Sequence, residues 1–547
     1  MIIISLAIFA DGVATQKRVF PLGTLVTVGD GYVIKDKNGC VPPALMGAGL
    51  YSVYSFDGTF ADTFTVTDEQ YPAPSFLDDG IIYQVFVDRF ASGGEVPKRE
   101  DAVYLSWEDT PEYKRNEKGE LKNNTFFGGT LWGVAEKIDY IASLGAGSIY
   151  LSPICTAYSN HKYDTDDYLS VDAGFGGDDA LSHLVSEAEK RGIKIILDGV
   201  FNHVGEHSVY FSSVLSDKNS PYSEWFSFSR YPDEYDCWWG CKNLPKTVKC
   251  NSFREFIYGR VIPKYMNMGV GGFRLDVVDE YSNEFTHEIC AAVKKASPRG
   301  CIIGEVWEDA TTKVAYGESK DYFLGSSLDA VTNYPFRDGI IRFFRHGDVG
   351  GIAGALEYQL THYPKAKLLR QMNTLGTHDT VRIITALAGK DGDMTADEAA
   401  NYRLSEEEYE HGKKMLCAAY GLLVSLPGTP CLYYGDEAGM QGLYDPFNRR
   451  TYPWGKEERE VLSYFSKIGM LRKQNAVFAR GETEIVYADG GVFAFTRSFC
   501  GKTVFILSFS RAGEYTLEKE YTDLITKTKI SGKVSVSHPK TFIMQED

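Results

Sequence analysis

The sequence has no apolar segment approaching the ~20 residues that a membrane-spanning helix needs. It is also short of positive charge. Among its 547 residues, 57 Lys and Arg stand against 74 Asp and Glu, which gives a formal net charge of −17. A negative surplus of this size repels nucleic acid and anionic membranes, so we expect neither as a partner. Internal repeats and low-complexity segments are missing, and a hydrophobic fraction of 44% is typical of globular domains.

The start of the chain is apolar but lacks the basic segment of a secretion signal, and Asp11 and Gly12 follow where a cleavage site would stand. We therefore predict a first β-strand there and a cytoplasmic protein, although a secreted protein without its leader would look the same. The 10 cysteines fit a reducing compartment, since several lie inside apolar segments, where a thiol behaves as a small apolar group. Cys237, Cys241 and Cys250 lack the spacing of a zinc site, so we predict no metal there.

Changes of pattern along the chain predict three domains. Residues 1–75 alternate short β-type segments with Gly-containing turns, which indicates a small N-terminal antiparallel β domain, and the Pro-rich segment 71–76 indicates a linker. Over residues 78–474, eight apolar segments alternate with helical segments, and most are too hydrophobic to face water on either side. Such alternation predicts an α/β fold, a (β/α)8 barrel. Residues 475–547 return to β-type alternation and predict a C-terminal antiparallel β-sandwich.

One interval between the predicted strands is too long for a single strand–helix unit. Asp198 and Asp276 end the third and fourth strands, yet the chain between them is more than twice the ~30 residues of one βαβ repeat. We therefore predict an inserted subdomain at about 204–250, rich in Tyr and Trp. Asp276 and Glu305, by contrast, are about one repeat apart and should end neighbouring strands. The eight predicted strands are 81–87, 148–153, 193–200, 271–278, 301–306, 328–333, 371–376 and 431–437.

Two of these strand ends carry carboxylates suited to cleaving a glycosidic bond. In such barrels, functional groups project from the carboxyl ends of the strands. Arg274 lies on the same side of the fourth strand as Asp276, where its guanidinium would keep Asp276 ionised, as a nucleophile requires. Glu305 follows an apolar run beside Trp307, and an apolar setting raises a carboxyl pKa, which suits a general acid. Carboxylates on neighbouring strand ends can reach the ~5–5.5 Å separation of a retaining double displacement.

Further polar groups follow the third and seventh strands. Asp379 follows His378. Since Glu305 already serves as the acid, we expect Asp379 to bind sugar hydroxyls and distort the ring. Asp198 forms a second polar cluster with Asn202 and His203. A single carboxylate after a strand is commonly a helix cap or an ion-pair partner. Four such stretches in order on one side of a predicted barrel make coincidence remote. They are DGVFNH (198–203), GFRLDVVDE (272–280), IIGEVW (302–307) and GTHDTVR (376–382).

In these four stretches the chain resembles the α-amylase superfamily, glycoside hydrolase family 13, over about residues 78–547. The resemblance implies that Asp276 is the nucleophile, Glu305 the general acid/base and Asp379 the transition-state stabiliser. It further implies that Tyr163, in SNHKYDTDDY (159–168), stacks under the sugar on the non-reducing side of the cleaved bond, called the −1 sugar below. The other residues implied to bind this sugar are His203, Arg274 and His378, which line its subsite, and Asp164 and Arg382, which contact its far hydroxyls.

Finer features resemble the cyclomaltodextrinase, neopullulanase and maltogenic amylase group, namely HKYDT (161–165), CWWGCKNLPK (237–246), GTPCLYYGDEAGM (428–440) and DPFNRR (445–450). The departures from that group are Val248 and Asp279, each in place of Asn, Thr130 in place of Asp, and Glu308 in place of a common His. Thr130 bears on the group's calcium site, because the loop 91–125 offers only scattered Asp and Asn oxygens. We therefore predict no required cofactor, and Ca²⁺ binding stays open.

The resemblance implies a retaining hydrolase of α-1,4-linked glucans that favours maltooligosaccharides or cyclodextrins, with pullulan left open. An exo-acting α-glucosidase or oligo-1,6-glucosidase is the alternative among enzymes, and it requires a cleft blocked beyond the −1 sugar. An inactive glycan-binding or scaffold relative is the alternative from another class, but such proteins lose members of the catalytic triad. A homodimer is also left open, because residues 1–75 are short for the N-terminal module through which members of the group dimerise.

Overall fold

The structure is a computed structural model, and most of the chain is described in it. Residues 7–10 of the predicted first strand and residues 71–72 of the predicted linker lie outside the described residues. Within the described part, no helix has both the length and the apolar character to cross a membrane. The cytoplasmic location stays a prediction. The described residues are 2–6, 18–28, 31–36, 38–42, 46–67, 73–117, 119, 121–325, 327–390 and 392–546.

Eight parallel strands form the central sheet, and each of the eight predicted segments contributes one of them. The strands are β1 (Ile81–Val85), β2 (Ala146–Leu151), β3 (Lys194–Gly199), β4 (Gly272–Leu275), β5 (Cys301–Gly304), β6 (Ala330–Val331), β7 (Met372–Thr374) and β8 (Thr429–Tyr433). Their order in the sheet is β6-β5-β4-β3-β2-β1-β8-β7, and a parallel bridge between Thr332 and Met372 joins the two edges. The predicted (β/α)8 barrel is therefore confirmed.

Alternation along the strands separates the barrel interior from its outer surface. Outward residues such as Leu197, Phe273 and Leu275 pack in the main core with the helices. The inward residues form a separate apolar cluster, and the same alternation places Asp198 and Arg274 on the inward side above it. The polar groups at the carboxyl end of the barrel therefore lie above a layer of apolar side chains, which we call the apolar floor. That floor consists of Leu77, Ile82, Tyr150, Ile196, Cys301, Ile303, Ala330, Met372 and Cys431.

The helices surround the barrel and begin where the sequence offers capping side chains. The Ser282 side chain accepts a hydrogen bond from the Phe285 backbone N–H, and Ser405 forms a capping box with Glu408. The longer helices are Gly177–Glu189, Asn283–Ala296, Tyr334–His346, Val349–His362, Glu406–Ser425 and Arg459–Gln474. Shorter ones are Leu131–Glu136, Ile138–Ser143, Val209–Ser216, Asn251–Phe256, Ile262–Asn267, Ile383–Ala388, Ala396–Asn401 and Ala476–Arg480.

The segment predicted as an insertion returns to the end of β3. It contains the helix Val209–Ser216 and a short hairpin, Phe228–Arg230 with Glu234–Tyr235. An antiparallel bridge between His203 and Lys246 then brings residues 237–246 beside the strand end. The insertion therefore supplies one wall of the space above the barrel.

A smaller β-sheet lies at each end of the chain. The N-terminal sheet is mixed rather than purely antiparallel, because Val19–Pro21 pairs in parallel with Phe60–Thr67, a pairing that alternation in sequence does not specify. Its other strands are Tyr32–Asp36, Gly39–Cys40 and Gly49–Ser55, and Ile2–Leu6 pairs separately with Thr24–Val28.

The C-terminal sheet confirms the predicted antiparallel β domain, whereas the predicted domain boundaries stay predictions. One of its faces joins the main core, and the other forms its own apolar cluster. Its six strands are Glu482–Asp489, Val492–Phe499, Lys502–Phe509, Gly513–Asp523, Lys529–Val536 and Lys540–Glu546.

Candidate active site

A cleft of about 870 Å³ opens at the carboxyl ends of the barrel strands. This size lies in the range of small-molecule binding sites, ~300–1,000 Å³. Six of the nine predicted site residues line the cleft, and Arg274 lies directly beneath it. The six are Tyr163, His203, Asp276, Glu305, His378 and Asp379.

Arg274 joins the carboxylates at the base of the cleft. Its Nη1 lies 2.8 Å from Asp276 Oδ1 and 3.1 Å from Asp198 Oδ1, and its Nη2 lies 3.0 Å from Glu305 Oε1. The geometry follows from strand register, because Asp198 pairs with Arg274 across β3 and β4, while Asp276 and Glu305 directly follow the paired residues Leu275 and Gly304. A single planar guanidinium in contact with both Asp276 and Glu305 holds the two carboxylates beside each other.

The charge balance here differs from the sequence prediction. Burial and the negative charge of Glu305 raise the pKa of Asp276 well above its ordinary value, and Arg274 only partly opposes this. Burial likewise raises the pKa of Asp198. Arg274 therefore does not by itself keep Asp276 ionised, because one cation serves three carboxylates. A proton held by one carboxylate relieves the repulsion and leaves its neighbour ionised.

Glu305 is held at both oxygens. Oε1 pairs with Arg274, and Oε2 accepts a hydrogen bond of 2.9 Å from the Val277 backbone N–H. Val277 follows Asp276 in the left-handed region, with a φ of 49°, which is uncommon for a β-branched residue. Trp307, two residues beyond Glu305, stacks on Tyr334 with ring centroids 3.9 Å apart. This turn therefore ties the two carboxylates together, and an aromatic face lies beside Glu305.

The opposite wall is built from neutral polar rings. Tyr163 stacks on His378 with centroids 5.2 Å apart, and its hydroxyl lies 2.5 Å from His378 Nε2 and 2.9 Å from Asp198 Oδ2. Burial lowers the pKa of His378 well below its ordinary value and lowers that of His203 to about 4. Both rings are therefore neutral near pH 7. Gln84 Nε2 lies 3.0 Å from His378 Nδ1, and donation there leaves the ring proton on Nε2, facing the cleft.

Asp379 has its own cationic neighbour, which sequence reasoning missed. Its side chain is 32% exposed, the most open of the three predicted catalytic carboxylates, and lies 3.1 Å from His378 Nε2. Arg449 Nη2 lies 3.3 Å from Asp379 Oδ1, and Arg449 Nη1 lies 3.1 Å from Asp445 Oδ2. Asp445 and Arg449 both line the cleft. The signal in the sequence was DPFNRR, which matched the family resemblance but was given no role in binding.

The structure does not bring Asp164 and Arg382 into the cleft lining. The Arg382 guanidinium is enclosed, donating to the Asn448 carbonyl at 2.8 Å and pairing with Asp436 at 3.0 Å. Asp164 is buried and accepts a hydrogen bond from the Ser159 backbone N–H at 3.0 Å. Both side chains are therefore used to hold the loops that form the cleft walls. The sugar contacts that the resemblance implied for them find no support in this geometry.

The contribution of the loop after β5 to the far end of the cleft, beyond Glu305, was missed in sequence reasoning. Three segments line this end: the insertion, the loop after β5, and the turn after β4. The lining residues are Trp238, Trp239, Cys241, Asn243, Leu244, Trp307, Glu308, Lys313, Val314, Ala315, Tyr316, Asp279 and Glu280. Exposed aromatic rings occupy this end together with three ion pairs, which join Lys246 to Glu280 and Lys313 to both Asp279 and Glu308. The cleft therefore continues well past Asp276 and Glu305.

The residues at the position of the group's calcium site do not fit a calcium ion. The Thr130 hydroxyl donates to the Gly93 carbonyl at 2.6 Å and accepts from the Gly133 backbone N–H at 3.0 Å, so it caps a helix. In the same loop, Asp101 pairs with Arg99 and Asp109 accepts from the Ser106 backbone N–H. Across the described residues, no group of three or more His, Cys, Asp or Glu side chains is arranged to hold a metal.

Comparison with known proteins agrees with this geometry. The family model described as "Alpha amylase, catalytic domain" matches residues 84–249 and 234–473. An amylopullulanase from Thermoanaerobacter thermohydrosulfuricus is 34% identical over 508 residues, covering 81% of this chain but 33% of its own length. The chain thus spans about a third of that relative. Neopullulanase 2 from Thermoactinomyces vulgaris is 30% identical over 503 residues, covering 87% of this chain and 78% of its own length.

A solved structure shows the same architecture. The cyclic α-maltosyl-(1→6)-maltose hydrolase from Arthrobacter globiformis superposes with a TM-score of 0.73 at 28% identity, covering 86% of this chain and 99% of its own. The predicted resemblance to the cyclomaltodextrinase, neopullulanase and maltogenic amylase group is confirmed, since relatives carry those names. The chain belongs to the α-amylase family of glycosidases and carries its catalytic domain.

Proposed function

We propose that this protein is a retaining glycoside hydrolase that cleaves α-1,4-glucosidic bonds of maltooligosaccharides, cyclodextrins or related α-glucans, with pullulan as a further candidate. The observation that carries the proposal is the contact of one guanidinium, Arg274, with both Asp276 and Glu305 at the base of an open cleft. Two adjacent carboxylates are what a double displacement uses. In such a mechanism one carboxyl group of the pair acts as the general acid and the other as the nucleophile.

In the first step, the Asp276 carboxylate attacks the anomeric carbon of the −1 sugar. Glu305 donates its proton to the glycosidic oxygen, so that the bond breaks and the leaving sugar departs with a hydroxyl group. The product of this step is a glycosyl ester on Asp276, and Glu305 is left as a carboxylate. Arg274 contacts both groups and offsets the negative charge that the transfer leaves on Glu305.

In the second step, Glu305 takes a proton from water, and the resulting hydroxide attacks the anomeric carbon. The ester bond to Asp276 breaks, the sugar leaves with its original anomeric configuration, and both carboxylates return to their starting protonation. Asp379, partly exposed and held by Arg449, is placed to grip hydroxyls of the −1 sugar while its ring flattens.

The lining of the cleft supports a neutral carbohydrate as substrate. Tyr163, His203 and His378 present uncharged polar rings at neutral pH, and the aromatic faces of Tyr163 and Trp307 suit the apolar faces of a sugar. The names of the similar proteins indicate hydrolysis of pullulan or of a cyclic maltosyl oligosaccharide. We infer an α-glucan on these grounds. The homodimer stays a prediction.

A product profile tests the proposal. Wild type is incubated with maltohexaose, β-cyclodextrin, pullulan and starch, and the products are followed over time by chromatography, with their anomeric form at early times read by ¹H NMR. We expect the α-anomer and products longer than glucose, whereas glucose alone at early times indicates the exo-acting alternative. Asp276→Asn serves as the matched control, because it is isosteric, and it should lose at least ~10³-fold in rate. Equal rates for wild type and Asp276→Asn would mean that the activity is not that of this site.

A further inference from the structure

The loop after β5 is held at its middle, between two stretches that line the cleft. Residues 307–308 and 313–316 line the cleft, and we call residues 309–312, which lie between them, the loop anchor. Within the loop anchor, Asp309 Oδ2 accepts a hydrogen bond of 2.7 Å from the Thr311 hydroxyl. A turn of this kind keeps its own shape, but it needs contacts from elsewhere in the chain to fix its place.

One barrel helix, Val349–His362, supplies these contacts at its carboxyl end. The Tyr358 hydroxyl lies 3.0 Å from Thr311 Oγ1. Just past the helix, the Tyr363 hydroxyl accepts a hydrogen bond of 3.2 Å from the Ala310 backbone N–H. Two tyrosine hydroxyls therefore tie the loop anchor to the end of the helix.

The same end of the helix contacts the N-terminal sheet. The Thr63 side chain, on strand Phe60–Thr67 of that sheet, bonds to the Tyr358 hydroxyl. Asp62 Oδ1 lies 3.0 Å from His362 Nε2, and the His362 ring stacks on Tyr358 with centroids 3.9 Å apart at 6°. Tyr358 is therefore joined to the N-terminal sheet directly at its hydroxyl and through His362 at its ring face.

Further contacts fix the N-terminal sheet on the end of this helix. Arg18 Nε lies 2.6 Å from Asp62 Oδ2, and the Arg18 backbone N–H donates to the Thr361 carbonyl at 2.7 Å. Arg18 and Thr63 are buried. A buried polar group that loses its partner destabilises the fold, so these contacts favour one position of the sheet on the helix.

We propose that Tyr358 is a positioning residue that joins the N-terminal sheet to the loop anchor, so that the N-terminal domain helps to set the shape of the cleft beyond Glu305. One hydroxyl is the common partner of Thr63 and Thr311, which lie far apart in the sequence. None of the described residues before Asn123 lines the cleft, so the N-terminal domain acts on it through this contact. The effect on substrates rests on the proposed function, whereas the coupling of the sheet to the loop does not.

Hydrogen exchange of the full chain tests the coupling. The Ala310 and Thr312 amides report on the loop anchor, because each donates to a side-chain oxygen. Thr63→Val, an isosteric change in the N-terminal sheet, should speed exchange in the loop anchor at least about threefold, read by mass spectrometry of its peptides. Tyr358→Phe should speed it at least as much, because it removes the hydroxyl that both threonines contact.

Tyr54→Phe is the matched control. It removes a hydroxyl from the same sheet, at a ring that packs on Phe60 with centroids 5.9 Å apart, and exchange in the loop anchor should stay within about 1.5-fold of wild type. The double variant of Thr63→Val and Tyr358→Phe should exchange no faster than Tyr358→Phe alone, because both changes break the same link. Unchanged exchange in Thr63→Val, or a double variant whose increase is the product of the two single increases, would overturn the coupling.

Kinetics separate a positioning role from a loss of folding. With maltohexaose, which is long enough to reach beyond Glu305, Thr63→Val and Tyr358→Phe should raise KM about threefold and leave kcat within about twofold of wild type. With p-nitrophenyl maltoside, whose leaving group is one small ring, KM should stay within about twofold. Thr63→Ser, which keeps the hydroxyl, should restore the wild-type KM.

The outcomes distinguish this inference from the proposed function. Equal changes of KM on both substrates, or none on maltohexaose, would overturn the effect on the far end of the cleft while wild-type hydrolysis still supported the proposed function. No hydrolysis of either substrate by wild type would remove the proposed function and leave the exchange test standing. Thermal melting checks the folding of every variant, and Thr63→Ala replaces Thr63→Val if the latter does not fold.

Discussion

Replacement of Arg274 is the perturbation to which this site should respond most informatively. The guanidinium side chain is 2% exposed and contacts Asp198, Asp276 and Glu305. Arg274→Leu leaves these buried carboxylates without their cation, a change that typically costs about 3–5 kcal/mol of folding free energy. Arg274→Lys keeps the charge but not the planar guanidinium group, and it should cost less, about 1.5–3 kcal/mol, the contribution of one charge-assisted hydrogen bond.

The same substitutions should change the pH dependence in a defined direction. In the proposed mechanism Asp276 must be ionised to attack, and burial together with the negative charge of Glu305 already raises its pKa, with Arg274 opposing. Removal of the positive charge raises that pKa further, so the acid limb of kcat/KM should move to higher pH in Arg274→Leu and move less in Arg274→Lys. At the pH optimum we expect kcat to fall about 10²–10³-fold, as for loss of one preorganised donor.

The assay is hydrolysis of p-nitrophenyl maltoside in a pH series, paired with urea denaturation to measure the free energy of unfolding. Trp307→Phe is a useful control, because it changes a residue beside Glu305 without altering charge. If Arg274→Leu kept its acid limb where wild type has it and lost less than about tenfold in kcat, the charge balance described for the three carboxylates would be refuted.

Three further outcomes follow from buried groups elsewhere. Burial raises the pKa of Glu437 from its ordinary 4.5 to about 7, so its contribution to stability is complete below pH 4.5 and is lost as pH rises through about 7. Glu437→Gln should therefore reduce the decrease in the free energy of unfolding between pH 5 and pH 8, as measured by urea denaturation. An unchanged decrease would contradict this role of Glu437. Lys162→Met breaks the buried pair of Lys162 with Asp172 at 2.6 Å, and it should lower stability by about 3–5 kcal/mol. Because Lys162 directly precedes Tyr163 in the same loop, the change should also raise KM. Because Thr130 caps a helix where the group's calcium site lies, EDTA should leave Tm within about 1 °C, whereas a drop of several degrees would indicate a bound metal.

The barrel was predictable because each of its strands can be recognised from its own short segment of sequence. A parallel strand buried on both faces is a continuous apolar run, so each strand could be read alone, and period-two alternation placed Arg274 and Asp276 on one side of β4. The helices could be read in the same way, since Ser282 and Ser405 mark starts that the apolar spacing then continues.

The remaining features of the fold and the site depend on contacts between residues far apart in the sequence, which sequence patterns do not specify. Arg449 reaches Asp379 from the loop after β8, and Arg382, which looked available in sequence, is enclosed by the carbonyl groups and rings around the same loop. The pKa of Asp276 could not be inferred from Arg274 alone, because it depends on how many carboxylates share one cation. Parallel pairing of Val19–Pro21 with Phe60–Thr67 likewise leaves no mark in either segment.

The left-handed turn at Val277 has a consequence for the covalent step of the proposed mechanism. The Asp276 carboxylate pairs with Arg274, and the backbone N–H of the next residue, Val277, donates a hydrogen bond to Glu305. Asp276, the proposed nucleophile, therefore has little freedom to move toward the anomeric carbon of the sugar. We therefore expect the anomeric carbon of the sugar to move toward the Asp276 carboxylate during this step, while the protein groups around the ring keep their positions.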